Sequence, residues 1–370
     1  MTGCRLEVVV GCPGSGKSHF ARTAFEGAPV LQFDALHNYT TGVTDYEAMG
    51  ALLSQCSGTV VLDAYGFYLD PEMETLHGAV GRYLSEVNFH HVYVSPLESY
   101  VANIRRGTPW CRNPAHCMKV ASTDLRKFEG WLSRLTELGR AASVRYFHRE
   151  DDRCEEMEDN THLLAYADQP DPKVALLSRI DRLSGDGDYQ AVELEGEIIR
   201  PGYSESERTW NTLQGLTSWK GRRVADLGCF NGYFSLQALK AGAHVTGYDA
   251  DERAVRLAAF VLGVNGYRVG SSSEEGPSVL HRTLGNGPLL TEPWDIVLAL
   301  NMLHHVRRDH GDEGVTRALR EMFRCGEEVL IEADALEAQL AATVASETGH
   351  VGQSFPSHRE GRSIWRWRRP

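Results

Sequence analysis

The chain has 370 residues, which at roughly 150 residues per domain predicts two domains, or three. Hydrophobic residues make up 42% and charged residues 24% of it, ordinary globular proportions that exclude a collagen, a coiled coil or a largely disordered chain. The net charge of −12 is shared by both halves, which speaks against a protein gripping long duplex but leaves room for a local basic pocket.

In the first 150 residues, strand-like runs alternate with helical ones. Strands are predicted over Leu6–Val10, Val30–Phe33, Thr59–Leu62, Phe89–Val94 and Ser143–Phe147, and helices over Ser95–Arg106 and Thr123–Leu138. This alternation predicts a mainly parallel sheet covered on both faces. After Leu6–Val10 comes G-C-P-G-S-G-K-S at 11–18, a complete phosphate-loop pattern between a strand and a helix. Gly11, Gly14, Ser15 and Gly16 turn backbone N–H groups around phosphate oxygens, and the following helix points its positive end at the same anion. Lys17 then reaches the terminal phosphates, and Ser18 ligates Mg²⁺. Asp63, ending T-V-V-L-D, is the second expected Mg²⁺ residue. The loop arrives too early for a signal peptide to precede it, and no run of about 18 apolar residues occurs. The expectation is therefore a cytoplasmic chain that does not span a membrane, its eight Cys reduced.

Asp34 closes the second strand in V-L-Q-F-D-A-L-H, where a carboxylate can accept the proton of an attacking hydroxyl. With these motifs, residues 5–150 resemble the small P-loop kinases related to polynucleotide kinase. The resemblance implies ATP, or another nucleoside triphosphate, with Mg²⁺ as cofactors and Asp34 as general base. It also implies a lid of phosphate-clamping arginines drawn from Arg105, Arg106 and Arg112. One departure concerns the acceptor: His37 stands where polynucleotide kinases often carry Arg, and it reads more readily as a surface or turn residue. Within the lid, W-C-R-N-P-A-H-C offers Cys111, His116 and Cys117 as soft ligands for zinc, but without a fourth ligand they read as ordinary loop residues.

The acidic run R-E-D-D-R-C-E-E-M-E-D-N at 149–160 and the Pro/Asp stretch at 168–172 read as a linker, 151–175, leaving 176–370 as a second domain. Strands are predicted there over Val224–Leu227, His244–Tyr248, Asp295–Leu300 and Glu328–Ile331, and helices over Phe230–Ala241 and Glu252–Leu262, while 263–292 resists assignment. V-A-D-L-G-C-F-N-G-Y-F-S at 224–235 places Asp226 before a turn opened by Gly228 and Gly232. An acid at that place repels a pyrophosphate and favours a cationic ligand such as S-adenosylmethionine. Asp249, ending H-V-T-G-Y-D, is positioned to accept ribose hydroxyls, and W-D-I-V-L-A-L-N-M-L-H-H-V supplies a further strand ending near Asn301.

Together these resemble class I SAM-dependent methyltransferases. The resemblance implies that Asp226, Gly228, Gly232 and Asp249 bind the cofactor and that Asn301 lines its methyl end. L-H-R-T-L-G-N-G offers Asn286 where many members place an adenine-binding acid, so that contact is unassigned. P-G-Y-S-E-S-E-R-T-W-N-T-L more weakly resembles the methyltransferases of the tRNA wobble uridine. Its Ser204, Glu205, Arg208 and Trp210 form either a lid or, more simply, a capped amphipathic helix. His304 and His305 lie where an acceptor would approach and are candidate bases. N-P-P-Y is absent, and oxygen is left as the acceptor atom by elimination. The tail 358–369 holds five Arg with Trp365 and Trp367, compatible with single-stranded nucleic acid but better read as a terminal edge strand.

The expected fold is α/β in both halves: a P-loop kinase-like parallel sheet and a Rossmann-like methyltransferase sheet, each doubly wound. The expected function is a bifunctional transferase. It phosphorylates a hydroxyl, with a nucleic-acid 5′-hydroxyl ahead of a small metabolite, and methylates an oxygen that could be the installed phosphate. A non-catalytic nucleotide- or SAM-binding half is the alternative. The oligomeric state is left open.

Overall fold

The computed structural model describes residues 3–38, 41, 43–64, 78, 80–108, 111, 113–137, 141–150, 153–159, 161, 171–183, 189–270, 276–284 and 289–370. The chain divides into two compact units, 1–175 and 176–370. Among the described residues, no helix is long and apolar enough to cross a membrane.

The N-terminal unit is built on β1 (Cys4–Val10), β2 (Val30–Gln32), β3 (His37–Asn38), β4 (Val43–Thr44), β5 (Thr59–Ala64), β6 (Leu84–Tyr93), β7 (Ser143–Glu150) and β8 (Arg153–Met157). Its main sheet has the order β2-β5-β1-β6-β7-β8, parallel throughout except for β8. The apolar strand runs are continuous because both faces are covered. Leu6, Val8 and Val10 face a core with Met49 and Leu53 of the helix Tyr46–Ser54 and Trp131, Leu132 and Leu135 of the helix Pro114–Glu137. On the other face, Val9, Val61 and Val92 pack on Phe20 and Ala21 of the helix Lys17–Ala24.

Three sequence expectations change here. The acidic run read as linker supplies β8, because Arg145 pairs with Glu156 across β7 and β8 and gives that strand a charged, solvent-facing partner. Cys111 and Cys117 are joined in a disulfide rather than free, which removes two of the three soft ligands considered for zinc. His37 is no surface residue: it is buried, stacks on Phe33 and shares a hydrogen bond with Thr44 Oγ1 at 2.8 Å across the β3–β4 hairpin.

The C-terminal unit holds the hairpin β9 (Val192–Leu194) and β10 (Glu197–Arg200) and a seven-stranded sheet. That sheet comprises β11 (Arg223–Leu227), β12 (His244–Asp249), β13 (Ser278–His281), β14 (Trp294–Leu300), β15 (Gly326–Asp334), β16 (Val351–Pro356) and β17 (Arg362–Arg368). Its order is β13-β12-β11-β14-β15-β17-β16, with β17 antiparallel to both neighbours. Helices Leu303–Cys325 and Ala335–Thr348 close one face over Val297, Val329 and Ile331; helices Ser206–Leu213 and Tyr233–Lys240 close the other over Val224, Ile296 and Leu330.

β13 lies in the stretch that resisted assignment. β17, read as the edge, is interior, and β16 takes the edge. Trp367 is buried and lies so close to Gly352 of β16 that a Cβ there would fall 2.3 Å from a ring carbon. Several tail arginines are held by carboxylates: Arg366 donates to Glu328 at 2.7 Å, Arg368 to the same carboxylate at 3.2 Å, and Arg362 to Glu337 at 3.4 Å, while Arg369 donates to the Phe323 and Arg324 carbonyls.

Candidate functional site

In the N-terminal unit, the turn after β1 wraps under the first helix at the C-terminal ends of the parallel strands. Gly14 and Gly16 take φ of +86° and +88°, a region closed to most side chains. The helix that follows β6, Pro96–Arg105, props the turn: Ser99 Oγ donates to the Pro13 carbonyl at 2.7 Å and Asn103 Nδ2 donates to it at 3.1 Å. The loop conformation is thus imposed by the surrounding chain.

Lys17 opens the helix, half-buried, and among the described residues no carboxylate pairs with it. Asp63 sits at the C-terminal end of β5, opposite Val9 of β1 and Gln32 of β2. It is 4% exposed, and neither carboxylate oxygen has a hydrogen-bond partner among the described residues; the buried Ser15 hydroxyl has none either. A buried carboxylate without donors is costly, and a cation nearby removes the cost. Asp63 therefore fits a cation such as Mg²⁺. No cage of three or more ligating side chains is gathered there among the described residues, and Mg²⁺ held by phosphates and water needs none. Asp34 is exposed on the one-turn helix Phe33–Leu36 that follows β2, rather than on the strand itself. Arg105 and Arg106 are exposed at the end of the helix after β6, and Arg112 lies outside the described residues.

In the C-terminal unit, strand order reverses between β11 and β14, the place where open α/β sheets bind ligands. A cavity of about 670 Å³ opens there, and its wall includes Gly228, Asp249, Asn301, His304 and His305. Asp249 accepts the Phe230 N–H at 3.0 Å and the Asp251 N–H at 2.9 Å, which fixes both of its oxygens at the rim. Phe230 and Asn301 take φ of +49° and +53°, two strained residues facing one cavity. His304 is half-buried, its Nδ1 has no partner among the described residues, and its ring lies 4.0 Å from that of His305. Burial, helped by the charges of His305, Arg362 and Arg308, holds His304 down to about 4, and burial lowers His305 as well. Both are neutral imidazoles near pH 7.

Two residues expected at the ligand lie behind the wall. Gly232 caps the helix Tyr233–Lys240, where a Cβ would meet Ala258 at 3.1 Å. Asp226 is buried beneath the turn and accepts a hydrogen bond from Ser235 Oγ at 2.6 Å. Burial, opposed by that bond, lifts the Asp226 carboxyl to about 6. The folded state therefore holds this proton more tightly than the unfolded chain. Its contribution favours folding in acid and is lost as pH rises through about 6. Asp226→Asn is expected to stabilise the C-terminal unit by roughly 2–3 kcal/mol at pH 8 and far less near pH 4. Thermal melts at both pH values check this, and an equal effect at the two would refute it.

The segment before the turn supplies groups that the sequence left unassigned. Tyr189 lines the cavity; its hydroxyl accepts from Asn301 Nδ2 at 2.5 Å and from Arg359 at 3.5 Å, and Phe230 packs edge-on to its ring. Arg359 in turn donates to the Ser204 carbonyl at 3.0 Å and approaches the buried Glu332 at 3.7 Å. Ser204 and Glu205 border a smaller adjoining cavity of about 350 Å³ with Tyr203 and His358. Arg208 folds back on Glu205, and Trp210 is buried against Trp219, so neither covers the main cavity. The helix they occupy has no side-chain cap. Asn286 lies outside the described residues.

Residues 225–328 match the family model described as Methyltransferase domain. The chain is 36% identical over 92 residues to the ubiquinone biosynthesis O-methyltransferase of Bordetella avium (strain 197N), which covers 24% of this chain and 34% of that protein. It spans about a third of the length of the curated relatives it matches. Among solved structures it is similar to magnesium protoporphyrin IX methyltransferase from Synechocystis PCC 6803. There the identity is 18% and the TM-score 0.34, over 45% of this chain and 77% of that one. It is also similar to the bifunctional kinase-methyltransferase WbdD, with 18% identity and a TM-score of 0.38 over 52% and 46%.

Proposed function

We propose that the chain is a bifunctional transferase. Its C-terminal unit methylates an oxygen of a hydroxyl-bearing acceptor with S-adenosylmethionine, and its N-terminal unit moves a phosphoryl group from a Mg²⁺-bound nucleoside triphosphate, ATP in the first instance, to a hydroxyl. The observation that carries the reading is the cavity at the β11/β14 reversal, with a fixed carboxylate, Asp249, on its wall and unprotonated histidines elsewhere on it.

Asp249 accepts the two ribose hydroxyls, and the Asp226 charge beneath the turn favours a cationic ligand above it. When bound, the cofactor supplies an electrophilic methyl group. His304 takes the proton of the acceptor hydroxyl as its oxygen is alkylated, and Tyr189 with Phe230 walls the site from water. In the other unit, the loop N–H groups and Lys17 neutralise phosphate charge, Ser18 and Asp63 hold Mg²⁺, and Asp34 receives the acceptor's proton. Asp249→Ala is expected to weaken S-adenosylmethionine binding on the order of tenfold to a hundredfold, through lost charge-assisted hydrogen bonds, and to leave ATP binding unchanged. Calorimetric titration of each ligand measures both.

For the methyl step, a small acceptor is favoured over a nucleic-acid end. The arginine-tryptophan tail that could have served a single strand is built into the sheet as β17, with Trp367 buried and Arg366 and Arg368 both held by Glu328. The nucleic-acid 5′-hydroxyl keeps its support in the phosphate-loop half alone. The decisive assay incubates the purified chain with Mg·ATP, with and without S-adenosylmethionine, on 5′-hydroxyl RNA and DNA oligonucleotides and, separately, on small phenols and alcohols. Mass spectrometry reads the products, with Asp34→Ala and Asp249→Ala as controls. Phosphorylated and methylated products that vanish with the respective variant support both halves. ATP and S-adenosylmethionine binding without turnover on any acceptor would favour a binding module instead.

A further inference from the structure

The sequence directs attention to arginines after the helix Pro96–Arg105, yet the cation lying against the phosphate loop comes from elsewhere. Arg149, near the end of β7, donates through Nη2 to the Gly14 carbonyl at 3.1 Å. Its side chain packs on Gly16 so tightly that a Cβ there would lie 2.8 Å from Arg149 Cδ, 3.2 Å from Nε and 3.3 Å from Nη1. Glycine at 16 thus does two things: it takes the left-handed turn and admits the guanidinium. The backbone of Arg149 is held opposite Cys154 by β8, so the side chain is aimed by the sheet and not by a free loop.

Three observations separate Arg149 from an ordinary structural arginine. No carboxylate pairs with it among the described residues, whereas Arg145, four residues earlier on the same side of β7, is paired with Glu156. Its Nε is buried without a hydrogen-bond partner. Its charge and that of Lys17 both act on the buried thiol of Cys12, against the opposite and larger effect of the Asp124 carboxylate, so two cations flank the one loop. An arginine kept without a counter-ion beside such a loop requires an anion to complete it, and a planar guanidinium suits phosphate oxygens.

We infer that Arg149 is a nucleotide-binding residue, contributing its guanidinium to the phosphate chain of the bound nucleoside triphosphate beside Lys17. This rests on reading the N-terminal unit as a phosphotransferase and adds to it a contact outside the loop, lid and metal residues.

The test titrates the full chain and its Arg149→Gln and Arg149→Lys variants with Mg·ATP, ADP, AMP and adenosine by calorimetry, with thermal melts run without nucleotide. The Gln variant is expected to lose about tenfold or more in ATP affinity, less for each phosphate removed and nothing for adenosine. The Lys variant, which keeps the charge and most of the packing on Gly16, recovers most of the loss. A Gln variant that binds ATP like the wild type overturns the inference. So does a loss that is equal for ATP and adenosine, or that the Lys variant fails to recover while its melting temperature falls, because the arginine is then a pin for the loop. Absence of ATP binding by the wild type is a different result: it removes the phosphotransferase reading itself.

Discussion

Asp34→Asn is expected to lower phosphoryl transfer on the order of 10²- to 10⁴-fold while leaving Mg·ATP binding and methyl transfer intact. The carboxylate is exposed on the single helical turn after β2, at the same sheet end as Lys17 and the phosphate loop. Its substitution therefore removes a proton acceptor without opening a cavity or stranding a buried charge. The amide keeps size and hydrogen bonding, so lost folding cannot imitate lost chemistry. Rates with saturating acceptor and titration of Mg·ATP separate the two quantities. A variant that transfers phosphate at the wild-type rate would remove Asp34 as base, and one that also loses methyl transfer would indicate damage to the whole chain.

His304→Gln is the corresponding change in the C-terminal unit, with a loss of methyl transfer on the order of 10²- to 10⁴-fold. Because burial holds the imidazole down to about 4, it is a free base at every pH above about 5. The wild-type rate should then stay flat with respect to this group from pH 5 upward, where an ordinary histidine would titrate away near 6.5. His305→Gln is the internal comparison: it is exposed, and a neighbouring imidazole in contact with it would remain. Equal losses in both variants would make the pair, and not His304, the working base. No loss in either would point to an acceptor that arrives already ionised, as a phosphate monoester does.

The two units differ in how much of each the sequence disclosed. Local patterns were readable where chemistry depends on consecutive residues. The loop from Gly11 to Ser18, the strand leading into Asp63 and the turn following Asp226 lie in unbroken stretches whose strand-turn-helix context is itself sequence-local. The β17 run with alternating Trp and Arg was legible as a strand for the same reason.

What escaped were groups that become neighbours only through strand pairing. Tyr189 meets Asn301, 112 positions on, and Arg359, 170 positions on; no spacing in the chain announces such a trio. Arg149 reaches Gly14 across 135 positions, and it looked like part of a charged linker because β8 was unseen. Cys111 and Cys117 are close in sequence, yet their pairing depends on the course of the chain into the helix Pro114–Glu137.

The amino-acid sequence by itself determined that there are two α/β units, one with a phosphate-type glycine loop and one with an acid-before-glycine turn, since hydrophobic runs and turn residues act over a few positions. The tertiary structure decided which of the named residues face a cavity. It put Asp249 and His304 on one wall, moved Asp226 and Gly232 behind it, buried the tail and drew Arg149 to the loop. Burial and long-range pairing depend on sheet order and on which face each side chain takes, and those follow from the packing of the whole domain.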